Sequence, residues 1–364
     1  MAKMNFQFLD VGMGDGTLVI MGDTPATQEL ALIDFGVQPF TKFKVGADDS
    51  FSYLVKTIDE ISQAREKEVP YLDHVFITHP DRDHYNRIMP LIEANYKSYG
   101  LKNLTIGKLT YGGANGLYKG LIKKISDHVE DKDKIADQPA LAHSDVDGID
   151  GSVDANWFFA GGKIKVYLLN VNYPNLASKV PNPLSLCLMF ADQSGNKVIF
   201  MGDAEEAVEN QIIENFATAT DGFLNAYALK LGHHGSKAGT SENWIKAVKP
   251  KAIFASGDFV WAHPYCATIN KVIEAGTLNK IADHWYCCGE SGKEYFNVNT
   301  KNQVFLNLWY VVKKATEKMT DSKGKTIDVA EGVTFGVQWG LQFDGTKTPA
   351  FFLTDTASPA KPGS

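Results

Sequence analysis

Five of the nine histidines in this 364-residue chain fall in three short motifs, each just past an apolar run of strand-like sequence. The run 73–78 (DHVFIT) ends in His79-Pro80-Asp81-Arg82-Asp83-His84. The run 226–231 ends in Gly232-His233-His234-Gly235-Ser236, and the run 252–256 precedes His263-Pro264. A fourth motif, Met201-Gly202-Asp203, closes the strand-like segment 197–201. Side chains that bind and react sit preferentially on loops held by a rigid sheet. The chain therefore reads as a sheet scaffold that carries its chemistry at strand ends.

The remaining periodicity fills in that scaffold. Three short strands at 5–10, 17–21 and 30–34, separated by Gly and Asp turns, predict an antiparallel start. Phe51, Leu54, Val55, Ile58 and Ile61 recur at helical spacing and predict a helix over 51–64. Further helices are expected near 86–96, 204–217, 241–248 (stopped by Pro250) and 267–275 (ended by Gly276). Strands are expected at 163–169, 184–190 and 304–312. Residues 333–343 alternate apolar with Gly, Thr or Gln in strict period two, the pattern of a strand buried on one face. Residues 97–160 are rich in Gly, Lys and Asp and weakly periodic, and read as an insertion or lid, most polar over 127–154. The expected organisation is one domain over 1–285 with that insertion, a β-rich extension over 286–356, and a flexible tail over 357–364. Both halves open with a run of strands and then alternate with helices, which suits two packed sheets with helices outside.

Composition narrows the function classes. Hydrophobic residues make up 44% and charged residues 22%, an ordinary globular balance. The net charge of −7 argues against broad binding to nucleic acid or an anionic membrane. No apolar run is long enough to span a bilayer. Cys187, Cys266, Cys287 and Cys288 are too few for a disulfide scaffold, and no CxxC occurs. With no secretory leader in MAKMNFQFLDVG, the expectation is a reduced, soluble, cytoplasmic protein with no membrane association.

Imidazole and carboxylate are ligands for zinc, manganese or iron rather than for a soft thiolate site. Asp203 taken alone reads as readily as a helix N-cap, with Glu206 three residues on. Gly12-Met13-Gly14-Asp15-Gly16 has the wrong spacing for a dinucleotide loop and leads into a strand, so it reads as a hairpin turn. Neither a G-x-S-x-G elbow nor a Walker A segment is present.

Taken in order, the motifs resemble the metallo-β-lactamase superfamily, and within it the branch typified by the C-terminal domain of the DNA-uptake channel protein ComEC. The matching elements are Asp10-Val11-Gly12-Met13-Gly14-Asp15, Leu32-Ile33-Asp34-Phe35-Gly36, Thr78 to His84, Asn182-Pro183-Leu184-Ser185, Met201-Gly202-Asp203, Leu229 to Ser236, Pro250 to Ser256, and His263-Pro264. They run over roughly residues 5–276.

The resemblance implies an αβ/βα four-layer sandwich with two divalent metal ions, zinc or manganese, at one edge of the sheets. It implies that His79 and Asp81 serve one ion. Asp83, His84 and one histidine of the HHGS motif, His234 by preference, serve the other, and Asp203 bridges them. Asp83, His233 and His263 are the residues it places in catalysis, the two histidines as groups meeting substrate or donating a proton. The implied activity is that of a metal-dependent hydrolase, a phosphodiesterase or nuclease using a metal-bridging hydroxide on single-stranded DNA or a nucleotide. The alternatives are hydrolysis of another ester, lactone or lactam, or a non-catalytic metal-binding interaction module. This chain departs from the superfamily pattern at Asp81, where a second histidine is usual, and between His84 and Asp203, where a further histidine has no clear match. More oxygen and fewer nitrogen ligands favour manganese or magnesium at the first position. Asp10, Asp15 and Asp34 could orient the ligands from behind, or simply form turns.

Overall fold

The computed structural model describes residues 2–9, 11, 14–37, 47–130, 135–137, 154–174, 180–257 and 263–275, and short strands beyond them. Two mixed sheets form its centre. The first contains β1 (Met4–Phe8), β2 (Gly16–Met21), β3 (Glu29–Phe35), β4 (Tyr71–Ile77), β5 (Thr105–Tyr111) and β6 (Ile135–Asp137). The second contains β7 (Trp157–Phe159), β8 (Ile164–Asn170), β9 (Cys187–Asp192), β10 (Lys197–Phe200), β11 (Ala228–Lys230) and β12 (Ala252–Gly257). Small hairpin pairs are made by β13 (Trp285–Tyr286) with β14 (Tyr295–Phe296), and by β16 (Lys318–Thr320) with β17 (Thr326–Asp328). The strand β15 (Val304–Leu308) joins the second sheet, and β18 (Trp339–Phe343) and β19 (Ala350–Leu353) join the first. The sheet orders are β19-β18-β1-β2-β3-β4-β5-β6 and β15-β12-β11-β10-β9-β8-β7.

Each sheet is antiparallel in one part and parallel in the other. Pairing is parallel through β3, β4, β5 and β6, and through β10, β11, β12 and β15. Parallel neighbours need a crossover, usually a helix. Here α1 (Ala47–Ala64) joins β3 to β4, α5 (Glu206–Asn215) joins β10 to β11, and α6 (Glu242–Val248) joins β11 to β12. The helices α2 (Arg82–Tyr85), α3 (Ile88–Ile92), α4 (Leu121–Ser126) and α7 (Cys266–Glu274) complete the described set.

Side-chain alternation produces the layers. Successive strand residues face opposite sides, and the central strands are apolar on both. From β2, Val19 and Met21 enter the core between the sheets, with Phe6, Phe8, Phe190, Phe200, Phe254 and Phe343. Leu18 and Ile20 face the other way, under Leu54, Ile58 and Ile61 of α1. On the far side, Met189, Ile199, Leu229 and Ile253 pack under Val208, Ile212, Trp244, Ile245 and Ile269 of α5, α6 and α7. The order helix, sheet, sheet, helix is the αβ/βα four-layer sandwich expected from the resemblance.

Two expected segments differ in detail. The stretch 97–160 is not all cover: β5 pairs with β4 along its length, and Ile122 and Ile125 of α4 are buried. Gly107 and Lys108 interrupt the apolar run of β5, and the Lys108 ammonium lies 5.8 Å from the Trp157 ring, so the strand leaves a weak pattern in the sequence. The pairing of β15 with β12, and of β18 with β1, runs across the boundary expected at residue 285. Most of 127–154, residues 333–338, Gly276, Asp10 and the tail 357–364 lie outside the described residues. Cys187 is a buried free thiol. No helix among the described residues is long and apolar enough to cross a membrane.

Phe6 sits where the sheets meet. Its ring centroid is 5.6 Å from Phe190, 5.7 Å from Phe200 and 6.3 Å from Phe343. Phe6→Ala is expected to cost about 3–5 kcal/mol, the range for emptying an aromatic site in a packed core. Urea unfolding checks this, and a loss below about 1 kcal/mol would contradict the packing described.

Candidate metal centre

The four motifs meet at one edge of the sandwich. The turn after β4 is pinned by backbone contact. The Asp15 N–H donates to the Asp83 carbonyl at 3.0 Å, and the Gly36 N–H donates to the Asp15 carbonyl at 3.0 Å. A Cβ on Gly14 would stand 2.2 Å from the Gly36 oxygen, and one on Gly36 would stand 2.3 Å from the Asp83 carbonyl carbon. Gly14 and Gly36 therefore do more than turn a hairpin. They let three backbones touch, which seats the one-turn helix α2 with Asp83 and His84 buried.

Asp203 is the meeting point. It follows β10 and is 3% exposed. Its Oδ1 lies 3.3 Å from His84 Nε2 and 3.6 Å from His234 Nε2. Its Oδ2 lies 3.4 Å from His79 Nε2 and 3.9 Å from His233 Nε2. His234 Nε2 also lies 3.4 Å from Asp83 Oδ2, and His79 Nε2 lies 3.7 Å from Asp81 Oδ2. Asp203 is not a helix cap: Glu205 holds the N-cap position of α5, and the Asp203 N–H is taken by Ser185 Oγ at 3.1 Å.

Three of these rings are held from behind. His84 Nδ1 lies 2.9 Å from Asp34 Oδ2, and Asp34 also accepts from the Thr78 N–H at 2.7 Å and the Thr78 hydroxyl at 2.6 Å. His234 Nδ1 is 3.3 Å from Ser256 Oγ. His233 Nδ1 is 2.9 Å from Glu205 Oε1, which Asn182 Nδ2 also reaches at 2.9 Å. Asp15 accepts from Ser256 Oγ and is paired with the buried Lys230 ammonium at 2.8 Å. Sequence reasoning anticipated Asp15 and Asp34 but assigned nothing to Thr78, Glu205, Lys230 or Ser256. The positions of Lys230 and Ser256 within two recurring motifs were their only sequence signal.

The residues present fit a metal. His79 Nε2, His84 Nε2 and Asp203 Oδ1 are buried with no hydrogen-bond partner among the described residues. Buried polar atoms left bare are rare and call for an explanation such as a bound ion. Asp15, His84, Asp203 and His234, all buried, each offer a ligand atom within 4.8 Å of the others. Both Asp15 oxygens are already engaged by Lys230 and Ser256. Asp83, against His234 Nε2, is therefore the more available carboxylate. Asp81 is half-exposed at the rim, and His263 flanks the histidine pair with its ring 5.2 Å from His233 and 6.2 Å from His234.

Charge follows geometry. Burial and the neighbouring His84 oppose a charged His79, but the Asp203 carboxylate outweighs them and holds its pKa at about 9. Burial likewise opposes charge on His84 and His234, and Asp203 overcomes it, with Asp34 assisting at His84 and Asp15 at His234; both pKa values are raised. Burial works against the Asp203 carboxylate, yet His234, His79 and His84 hold it well below the ordinary range. His263 is pushed down to about 3 by burial and by His234 and His233, and is neutral at pH 7.

No family model matches the chain. It is 26% identical over 250 residues to ComE operon protein 3 of Bacillus subtilis (strain 168), covering 68% of this chain and 28% of that protein. It is 33% identical over 100 residues to Recombination protein 2 of Haemophilus influenzae, covering 27% of this chain and 12% of that protein. The chain thus spans less than a third of either relative. Among solved structures, the short form of human tRNase Z aligns with a TM-score of 0.34 at 16% identity, over 69% of this chain and 91% of that one. The long form of RNase Z from yeast aligns with a TM-score of 0.36 at 11% identity, over 69% and 37%.

The raised pKa values fix a sign. A histidine favoured in its charged form stabilises the metal-free fold fully below its unfolded value of about 6.5. For His79 that contribution is lost as pH rises through about 9. Metal uptake near pH 7.5 must then expel protons, and apparent affinity should climb toward pH 9. Calorimetric zinc titration in buffers of different ionisation enthalpy is expected to show that release, and identical heats in every buffer would contradict it.

Proposed function

We propose that the chain is a metal-dependent hydrolase acting on phosphodiesters. The observation that carries this reading is the convergence of buried imidazole nitrogens, two of them bare, on a single carboxylate. His79, Asp81 and Asp203 would hold one divalent ion, and Asp83, His84, His234 and Asp203 the other. Two such ions supply an activated water at neutral pH and stabilise the charge on the displaced oxygens.

The chain's own residues do the rest. Asp203 is presented to both positions because its two oxygens face different histidines. Asp34 and Ser256 orient His84 and His234 from behind, so ligation needs little rearrangement. His263, held neutral at pH 7 beside His233 and His234, would meet a substrate or leaving oxygen through its ring N–H. The sequence likeness to ComE operon protein 3 supports a ComEC-type relationship. With a net charge of −7, a short single strand or a nucleotide suits the chain better than extended duplex.

The test is a panel of bis-p-nitrophenyl phosphate, single-stranded DNA, a cyclic nucleotide, a lactone and a chromogenic cephalosporin, each with manganese, magnesium or zinc. Phosphodiester hydrolysis, fastest with manganese, is the expected result. Asp203→Ala should lower it at least about 100-fold, since even groups behind a ligand cost 10- to 100-fold. Activity confined to the lactone or cephalosporin would move the chain to another chemistry, and a metal-loaded but inert protein would make it an interaction module.

A further inference from the structure

The first metal position is one ligand short of the second. His79, Asp81 and Asp203 stand against Asp83, His84, His234 and Asp203. The two oxygens of Asp203 separate the histidines into pairs: His84 and His234 on Oδ1, His79 and His233 on Oδ2. Adjacent residues in an extended chain point to opposite faces, yet His233 and His234 both turn toward Asp203. Their backbones make this possible. Both adopt left-handed conformations, with φ of 44° and 52°, which a non-glycine residue adopts only under local constraint.

Donor and acceptor accounting fixes how each ring is presented. A carboxylate only accepts, so His233 Nδ1, 2.9 Å from Glu205, carries the proton it donates there. Ser256 gives its one proton to Asp15, so its oxygen accepts from His234 Nδ1. In the neutral form of both rings Nε2 is therefore the lone-pair nitrogen, and in both it faces Asp203. A metal-binding histidine characteristically donates its other N–H to such a partner. His233 has this arrangement as fully as His234, through Glu205 and Asn182.

Resting on the two-metal reading above, we infer that the adjacent histidines divide between the two ions: His234 serves the Asp83–His84 position, and His233 completes the His79–Asp81 position in place of the imidazole the sequence lacks. Glu205 and Ser256 are their respective positioning residues. His233 is thereby taken out of the free role expected from the sequence.

The experiment measures zinc stoichiometry and affinity by chelator competition on the full chain, with the absorption spectrum of the cobalt(II)-loaded protein as a second readout. His233→Ala is expected to keep one tight ion and lose the other, and His234→Ala to lose the complementary one, giving two different cobalt spectra. Glu205→Gln should weaken only the ion lost in His233→Ala, by about 10- to 100-fold, and Ser256→Ala only the ion lost in His234→Ala. The unfolding midpoint of each metal-free variant should stay close to that of the parent. Two tight ions retained in His233→Ala would overturn the inference. So would the same ion lost in both histidine variants, or a metal-free fold that fails in Glu205→Gln. Parent protein that binds no metal overturns both this inference and the proposed function. Parent protein that binds two ions but hydrolyses nothing overturns only the function.

Discussion

The architecture of this protein's site depends on one buried carboxylate. Asp203 is taken out of water and surrounded by four imidazoles, none of which comes as near as an ordinary hydrogen bond at its mode. A buried polar atom without a partner costs about 1–3 kcal/mol, and this site leaves several at one point. A fold that keeps such a cluster must stabilise it from outside.

That stabilisation comes from both sheets. Asp15, in the turn between β1 and β2, pairs with Lys230 at the end of β11 and bonds Ser256 in β12, joining the two sheets beside the site. Asp34, at the end of β3, fixes Thr78 and His84 together. Removing one partner of a buried pair such as Asp15–Lys230 is costly because the other charge stays buried. The histidines are thus held by a rigid frame whose aromatic core lies only a few residues away along β1, β10 and β12. Arg65, bidentate on Asp73, gives β4 and α1 a similar tie at the far end of the strand.

Much of this was legible in the sequence, and the reasons are physical. Residues on loops past apolar runs are conspicuous because packing does not account for them. His79, His84 and the adjacent pair His233-His234 stood out for that reason, Asp203 was singled out by the resemblance instead of by its local sequence, and the structure brings them together. Alternation of strands and helices in both halves suggested two packed sheets with helices outside, and the resemblance supplied the four-layer order. The supporting residues were hidden because each has an ordinary local reading: Lys230 as the end of a strand, Ser256 as a small strand residue, Glu205 as the start of a helix. Their roles depend on contacts across up to 241 residues of chain. The strand β5 was hidden by Gly107 and Lys108; the closing strand β18 was legible from its period-two pattern, but not its pairing with β1, more than 330 residues away. Asp81 matched its motif position yet sits half-exposed at the rim, because the turn that buries Asp83 and His84 carries it outward.

The central claim is that ions occupy the space around Asp203 defined by the histidine Nε2 atoms. Anomalous diffraction from crystals grown with zinc, recorded on both sides of the zinc edge, tests it most directly. Two peaks are expected flanking the Asp203 carboxylate, one beside His79 and one beside His84 and His234. A peak only on the Nδ1 side of His84, beside Asp15, or no peak near Asp203 at all, would contradict it.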